Sequence, residues 1–273
     1  MIRKEREYVS ALKDVSDQLK SKNPHMSRMT GLCDGARTAF LAAFAGDSGK
    51  LSGQTRLIIA PDEKEAMRVC GSMAELGLSA VVYPYRDFVF HNITASHECE
   101  HERLNVLFKI LNGEIDVVVA TAESALQYTM PKEVLSASVM HIDMDTRVNI
   151  DELTEFLVKS GYTRTEMVDG VGQFSIRGGI IDIYTASGDN PVRIELFDDE
   201  IDSMGQFDVI TQRRTEQLDE ITITPAREII ADGTASARLM SALEARLAKL
   251  KKHSEKEACE RISADIDALR AGV

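Results

Sequence analysis

Residues 172 to 225 read GQFSIRGGIIDIYTASGDNPVRIELFDDEIDSMGQFDVITQRRTEQLDEITITP. Apolar and polar residues alternate here with a period of two, the spacing of half-buried antiparallel strands. Val192, Ile194 and Leu196 point one way, and Arg193, Glu195 and Phe197 the other. Turn-forming clusters bracket that strand, Ser-Gly-Asp-Asn-Pro at 187–191 before it and Asp-Asp-Glu at 198–200 after it. Gly178-Gly179 is expected inside the preceding strand, where glycine marks a bulge or a close backbone approach.

The face that should meet water carries the functional signal. If Ile194 is inside, Phe197 is outside, beside Arg193 and Glu195 on a rigid strand. An exposed aromatic next to an arginine is the composition of a binding hot spot. The same parity on Gln173–Arg177, with Phe174 and Ile176 inward, puts Arg177 on the outward face as well. The alternative is that Phe197 caps a second small core and the arginines are simply solvated.

Before this region, from about 25 to 143, the pattern is one of strands alternating with helices. Apolar runs at 56–60, 80–83, 115–120 and 139–142 are separated by helical stretches at 62–76 and 99–112, which predicts a parallel sheet covered by helices. An amphipathic helix over 1–22 precedes it, with Tyr8, Leu12, Val15 and Leu19 on one face. The first turn of such a fold is where a phosphate loop sits, and here it reads Gly31-Leu-Cys-Asp-Gly-Ala-Arg-Thr38. A working GxxxxGK[ST] loop needs glycine and lysine where this chain has Ala36 and Arg37; Gly31 and Thr38 alone are in register. The Ala36 methyl obstructs the backbone's approach to phosphates, and the Arg37 guanidinium is too bulky for the lysine's place. The loop is therefore expected not to bind ATP, and no catalytic residue is assigned.

His97-Glu-Cys-Glu-His101 fits the letters of a zinc-protease motif, with both histidines on one helix face. No third ligand is signalled downstream, so a helix start with well-placed glutamates is expected instead of a metal site. Asn149-Ile-Asp-Glu152 reads as a capping box opening a helix that Gly161 closes. Between 160 and 228 every basic residue is arginine, which suits fork-like pairing with carboxylates. Thr211-Gln-Arg-Arg214 is read as an internal tie between strands. Beyond Glu228, Leu239, Leu243, Leu247, Leu250, Ile262, Ile266 and Leu269 recur at helical spacing.

Composition narrows the function classes. Of 273 residues 44% are apolar, enough for two or three domains, and no long uncharged apolar run signals a membrane span or a signal peptide. Cys33, Cys70, Cys99 and Cys259 are too far apart for a metal knuckle and read as reduced thiols. The net charge is −12, and residues 151–228 carry 17 acidic against 7 basic side chains, a surface that repels a phosphate backbone. With 5% aromatics and no tryptophan, a base-stacking platform is not expected.

The runs GQFSIRGGIIDIY, PVRIELFDDEIDSM, FDVITQRR and ITITPARE, in that order, resemble the domain shared by the bacterial transcription-repair coupling factors (Mfd) and the excision-repair subunit UvrB. The resemblance implies a docking surface for UvrA, made of Arg177, Arg193 and Phe197, with Glu195 as a fourth contact. It also implies an α/β architecture in three parts. A parallel, P-loop-like sheet domain with a degenerate nucleotide loop fills 1–145. An α+β antiparallel-sheet docking domain follows over 146–228, and 229–273 begin a helical third part that breaks off, as in a fragment. The degenerate loop matches the coupling factors, whose UvrB-like module lacks ATPase activity. The short segment after Tyr83 leaves no room for the tyrosine-rich, DNA-clamping hairpin of UvrB. A cytoplasmic bacterial module without cofactors is implied, with RNA polymerase and DNA contacted only through other parts of a longer chain. The rival is an ATP-dependent UvrB-type subunit that tolerates the altered loop, and a zinc enzyme at His97 and His101 stands third.

Overall fold

The computed structural model describes residues 30–46, 55–86, 97–230, 233–252 and 256–271. The helix expected over 1–22 lies outside these stretches.

After helix α1 (Asp34–Gly46) come β1 (Arg56–Ala60), α2 (Glu63–Glu75), β2 (Ala80–Tyr83), α3 (Glu98–Leu111) and β3 (Val117–Thr121). The three strands form a parallel sheet in the order β1-β3-β2. Its central strand β3 is apolar and buried on both faces, as a covered parallel strand requires, whereas on β1 Leu57 and Ile59 stay 60% and 50% exposed. Val117 and Val119 pack with Ala66, Val69 and Met73 of α2, while Val118 and Ala120 meet Val106 of α3. Asp62 caps α2 by accepting a hydrogen bond from the Glu65 amide at 2.8 Å.

Two short helices, α4 (Ala122–Ala125) and α5 (Lys132–Ala137), lead to β4 (Met140–Asp143). This fourth apolar run does not join the parallel sheet. It pairs antiparallel with β11 (Glu220–Ile223), Ile142 opposite Ile221. Met140 and Ile142 thereby enter the core of the following unit, so strand periodicity located β4 correctly but not its sheet.

Helix α6 (Ile150–Lys159) starts at Asn149, whose side chain accepts from the amides of Asp151 and Glu152. Gly161 follows at φ 87°, the left-handed residue that ends it. Then come β5 (Thr163–Arg164), β6 (Gln173–Arg177), β7 (Ile180–Ile183), β8 (Val192–Phe197), β9 (Glu200–Phe207) and β10 (Arg214–Gln217). They make one six-stranded sheet in the order β10-β9-β8-β7-β6-β5, antiparallel except for the β5–β6 pair. Phe174, Ile181, Ile183, Ile194 and Met204 line its inner face at 0% exposure and pack against Leu153 and Leu157 of α6.

Gly178-Gly179 is the two-residue turn of the β6–β7 hairpin rather than an interruption of a strand, because Arg177 pairs with Ile180. Gly178 takes φ 62°, and a Cβ on Gly179 would sit 2.9 Å from the Leu196 carbonyl oxygen. The expected close approach is present, with the turn as its setting. Helices α7 (Gly233–Lys252) and α8 (Lys256–Ala271) pack on each other and bury Leu250 and Ile266.

A buried charge network joins the parallel-sheet unit to the end of the antiparallel one. Glu228 binds Arg103 of α3 at 2.9 Å, and its amide donates to Glu100 at 2.7 Å. Arg86, His97 and Arg227 surround the Glu100 carboxylate at 3.7, 3.1 and 3.6 Å. Burial pushes the Glu100 carboxyl up, but the Glu228 amide, the Arg86 and Arg227 guanidiniums and the His97 hydrogen bond outweigh it and hold it below its ordinary value. Burial also lowers the His101 imidazole, against the opposing pull of Glu100.

Both shifts make the unfolded chain the better proton binder in acid. Stability is expected to fall as pH drops through the ordinary His101 value of 6.5, and to fall further below the ordinary Glu100 value of 4.5. Melting temperatures recorded from pH 8 to pH 4 check this. His101→Gln should flatten the upper part of the slope, and an unchanged slope would exclude His101 as its source.

Candidate functional site

The outer face of the six-stranded sheet gathers the residues that strand parity singled out. Along β8, Val192 and Ile194 are buried, Arg193 and Glu195 are partly exposed, and Phe197 is 78% exposed. Arg177 ends β6 two strands away, its side chain 44% exposed. Phe197 does not cap a second core, and the arginines are not simply solvated.

Both guanidiniums converge on Asp182 of β7, which is 1% exposed. Arg193 donates through Nε to Oδ1 at 2.7 Å and through Nη2 to Oδ2 at 3.0 Å. Arg177 donates through Nη2 to Oδ2 at 2.7 Å and through Nη1 to the Glu166 carbonyl at 2.8 Å. Arg193 also lies 4.5 Å above the Phe207 ring and donates to the Gln212 side chain at 3.0 Å. The Asp182 hydrogen bonds raise the Arg193 pKa above its ordinary value.

Glu195 is tied in a second group. Ser203 Oγ donates to it at 2.9 Å, and Arg214 of β10 lies 3.3 Å from its other oxygen. Next to Phe197, the tight β8–β9 turn places Asp198 at φ 61°, and Arg147 braces the turn through Asp199 and Glu200. Ile180, opposite Glu195, adds a partly exposed apolar side chain.

Asp182, Gln212, Ser203 and Ile180 did not emerge from sequence. A signal for Asp182 existed: it is the one polar position between Ile181 and Ile183, and the hairpin pairs it with Arg193. Thr211–Arg214 does tie strands, as expected, and it does so on this face, through Gln212 and Arg214.

The segment 31–38, read from sequence as an altered phosphate loop, lies on the other unit. Gly31 takes φ 81° just before α1, Arg37 is exposed, Thr38 is 8% exposed, and Ala36 sits in the first turn of the helix. The Arg37 amide is already bonded to the Cys33 carbonyl at 2.9 Å. His97 and His101 stand with ring centroids 6.2 Å apart; His97 faces Glu100 and Arg227, and among the described residues no cluster of metal-ligating side chains forms. A guanidinium against an imidazole disfavours a cation there. No helix among the described residues is long and apolar enough to cross a membrane.

The family model of the UvrB interaction domain matches residues 140–229. A transcription-repair-coupling factor of Bacillus subtilis is 38% identical over 252 residues, covering 89% of this chain and 21% of that protein. The factor of Staphylococcus haemolyticus is 34% identical over 59% of the chain and 14% of its own length. That of a Staphylococcus aureus strain is 35% identical over 54% and 13%. The chain thus spans about a fifth or less of the curated relatives it matches. Residues 140–229 are similar to the UvrB interaction domain, in a chain that is similar to the transcription-repair-coupling factors.

Proposed function

We propose that the chain is a docking module that binds UvrA through Phe197, Arg177, Arg193 and Glu195. The observation that carries the reading is Phe197, 78% exposed on a braced turn beside guanidiniums already held in place. A large aromatic kept in water next to ordered arginines is the composition that dominates binding energy at protein interfaces. The domain name and the relatives support the partner, since transcription-repair coupling joins polymerase to excision repair. In a longer chain such a module recruits UvrA to stalled RNA polymerase, with polymerase and DNA contacted elsewhere, in the bacterial cytoplasm.

The division that accompanies this reading is a P-loop-like unit over 1–145, the docking unit over 146–228, and a helical third part over 229–273. Strands β4 and β11 link the first two. The first unit is a nucleotide-binding architecture that has lost its nucleotide at Ala36 and Arg37, so titration with ATP is expected to show no saturable binding. Saturable binding that disappears in Arg37→Ala would restore the ATP-dependent alternative.

Calorimetry of the chain against UvrA tests the docking reading. Phe197→Ala and Arg193→Ala are each expected to cost at least about 2 kcal/mol, more than tenfold in affinity. Wild-type affinity in both folded variants would remove the assignment.

A further inference from the structure

We infer that Asp182 is a positioning residue of the docking face, a buried carboxylate that fixes both arginines before a partner arrives. The inference rests on the docking reading above. Asp182 belongs by register to the outward face of β7, yet it is 1% exposed because Arg177 and Arg193 lie over it. Buried carboxylates persist where cations and donors satisfy them, and here one aspartate receives three guanidinium hydrogen bonds of 2.7, 3.0 and 2.7 Å.

The two arginines then have different parts. The Arg193 side chain is 19% exposed and clamped from three sides, by Asp182, Gln212 and the Phe207 ring. That of Arg177 is 44% exposed and keeps more of its fork open to a partner. Two guanidiniums sharing one carboxylate leave a single net positive charge, and the neighbouring Glu195–Arg214 pair adds none. The complementary surface is therefore an apolar hollow for Phe197 with one carboxylate within reach of Arg177. Side chains ordered in the free state lose less entropy on association, so the preset fork strengthens binding without touching the partner itself.

The test has two arms. In the free protein, nitrogen NMR of the arginine side chains should show the Arg193 Nε–H as a sharp, restrained signal. That signal should become motionally averaged in Asp182→Asn while the backbone spectrum keeps its dispersion. Calorimetry of Asp182→Asn against UvrA should then show affinity reduced about tenfold or more, with Phe197 untouched. Gln212→Ala removes one Arg193 acceptor without stranding a buried charge, and it should give a smaller change of the same kind in both arms. It also decides the matter if Asp182→Asn does not fold.

If Arg193 is motionally averaged already in the wild type, the preset fork does not exist. If Asp182→Asn or Gln212→Ala loosens Arg193 and UvrA affinity stays at the wild-type level, Asp182 has no positioning role, while the effects of Phe197→Ala leave the docking reading intact. If wild type itself fails to bind UvrA, the docking reading falls and the inference with it.

Discussion

Arg103→Ala is expected to destabilise the protein by about 3–5 kcal/mol, the usual cost of stranding one partner of a buried ion pair. Arg103 is 0% exposed, and every donor of its guanidinium is engaged. Nε and Nη2 hold Glu228 at 3.0 and 2.9 Å, Nη1 donates to the Pro84 carbonyl and the Gln127 side chain at 3.0 Å each, and Nη2 reaches the Tyr128 carbonyl at 3.3 Å. The guanidinium also lies 4.3 Å from the centre of the Tyr83 ring. Alanine would strip the buried Glu228 carboxylate of this fork, and among the described residues Arg86, at 3.5 Å, is the cation left beside it. Lysine would not rescue the loss, because a single ammonium cannot reproduce the planar fork.

The cost comes from the stranded charge rather than from a large net gain of the pair. Arg103→Met combined with Glu228→Leu is therefore expected to lose less stability than Arg103→Ala alone. Urea denaturation of the three variants checks both statements. Arg147→Ala is the control: its partners Asp199 and Glu200 are exposed, and the expected loss is within about 1 kcal/mol. A loss at Arg103 no larger than at Arg147 would mean that the network does not hold the two units together.

This junction was invisible in the sequence, and the reason is physical. Arg103 lies 125 residues from Glu228, and neither stands in a periodic pattern that marks it as buried. Polar residues on a helix read as a solvated face until tertiary contacts are known. The face proposed for docking was legible because it is local. Period-two alternation assigns inside and outside residue by residue, and the hairpins carry that assignment from one strand to the next. The same rule located β4 as a strand but not its neighbour. Periodicity reports which way a side chain points, and the Ile142–Ile221 pairing spans a separation that no local signal crosses. Gly178-Gly179 was misjudged for a related reason. The two glycines do mark a close backbone approach, but only the Arg177–Ile180 pairing shows that the chain reverses there.

Two phenylalanines on opposite faces of one sheet are expected to separate stability from recognition. Phe174, on β6, is 0% exposed and packs within the cluster of Leu153, Leu157, Ile181 and Ile194. Truncating it to alanine removes buried apolar surface and leaves a cavity that α6 and the sheet can only partly close. The expected loss is about 3–5 kcal/mol of folding stability. Phe197, on β8, has most of its ring in water already, so Phe197→Ala should leave stability within about 0.5 kcal/mol of wild type. For UvrA affinity the order reverses: Phe197→Ala should lose more than about tenfold, while Phe174→Ala, measured where it is still folded, should lose little. Denaturation curves and calorimetry on the same two preparations read out both axes. A large stability loss in Phe197→Ala would show that its ring packs against the protein in solution. The exposed aromatic would then be a piece of core, and strand parity would no longer support a docking role.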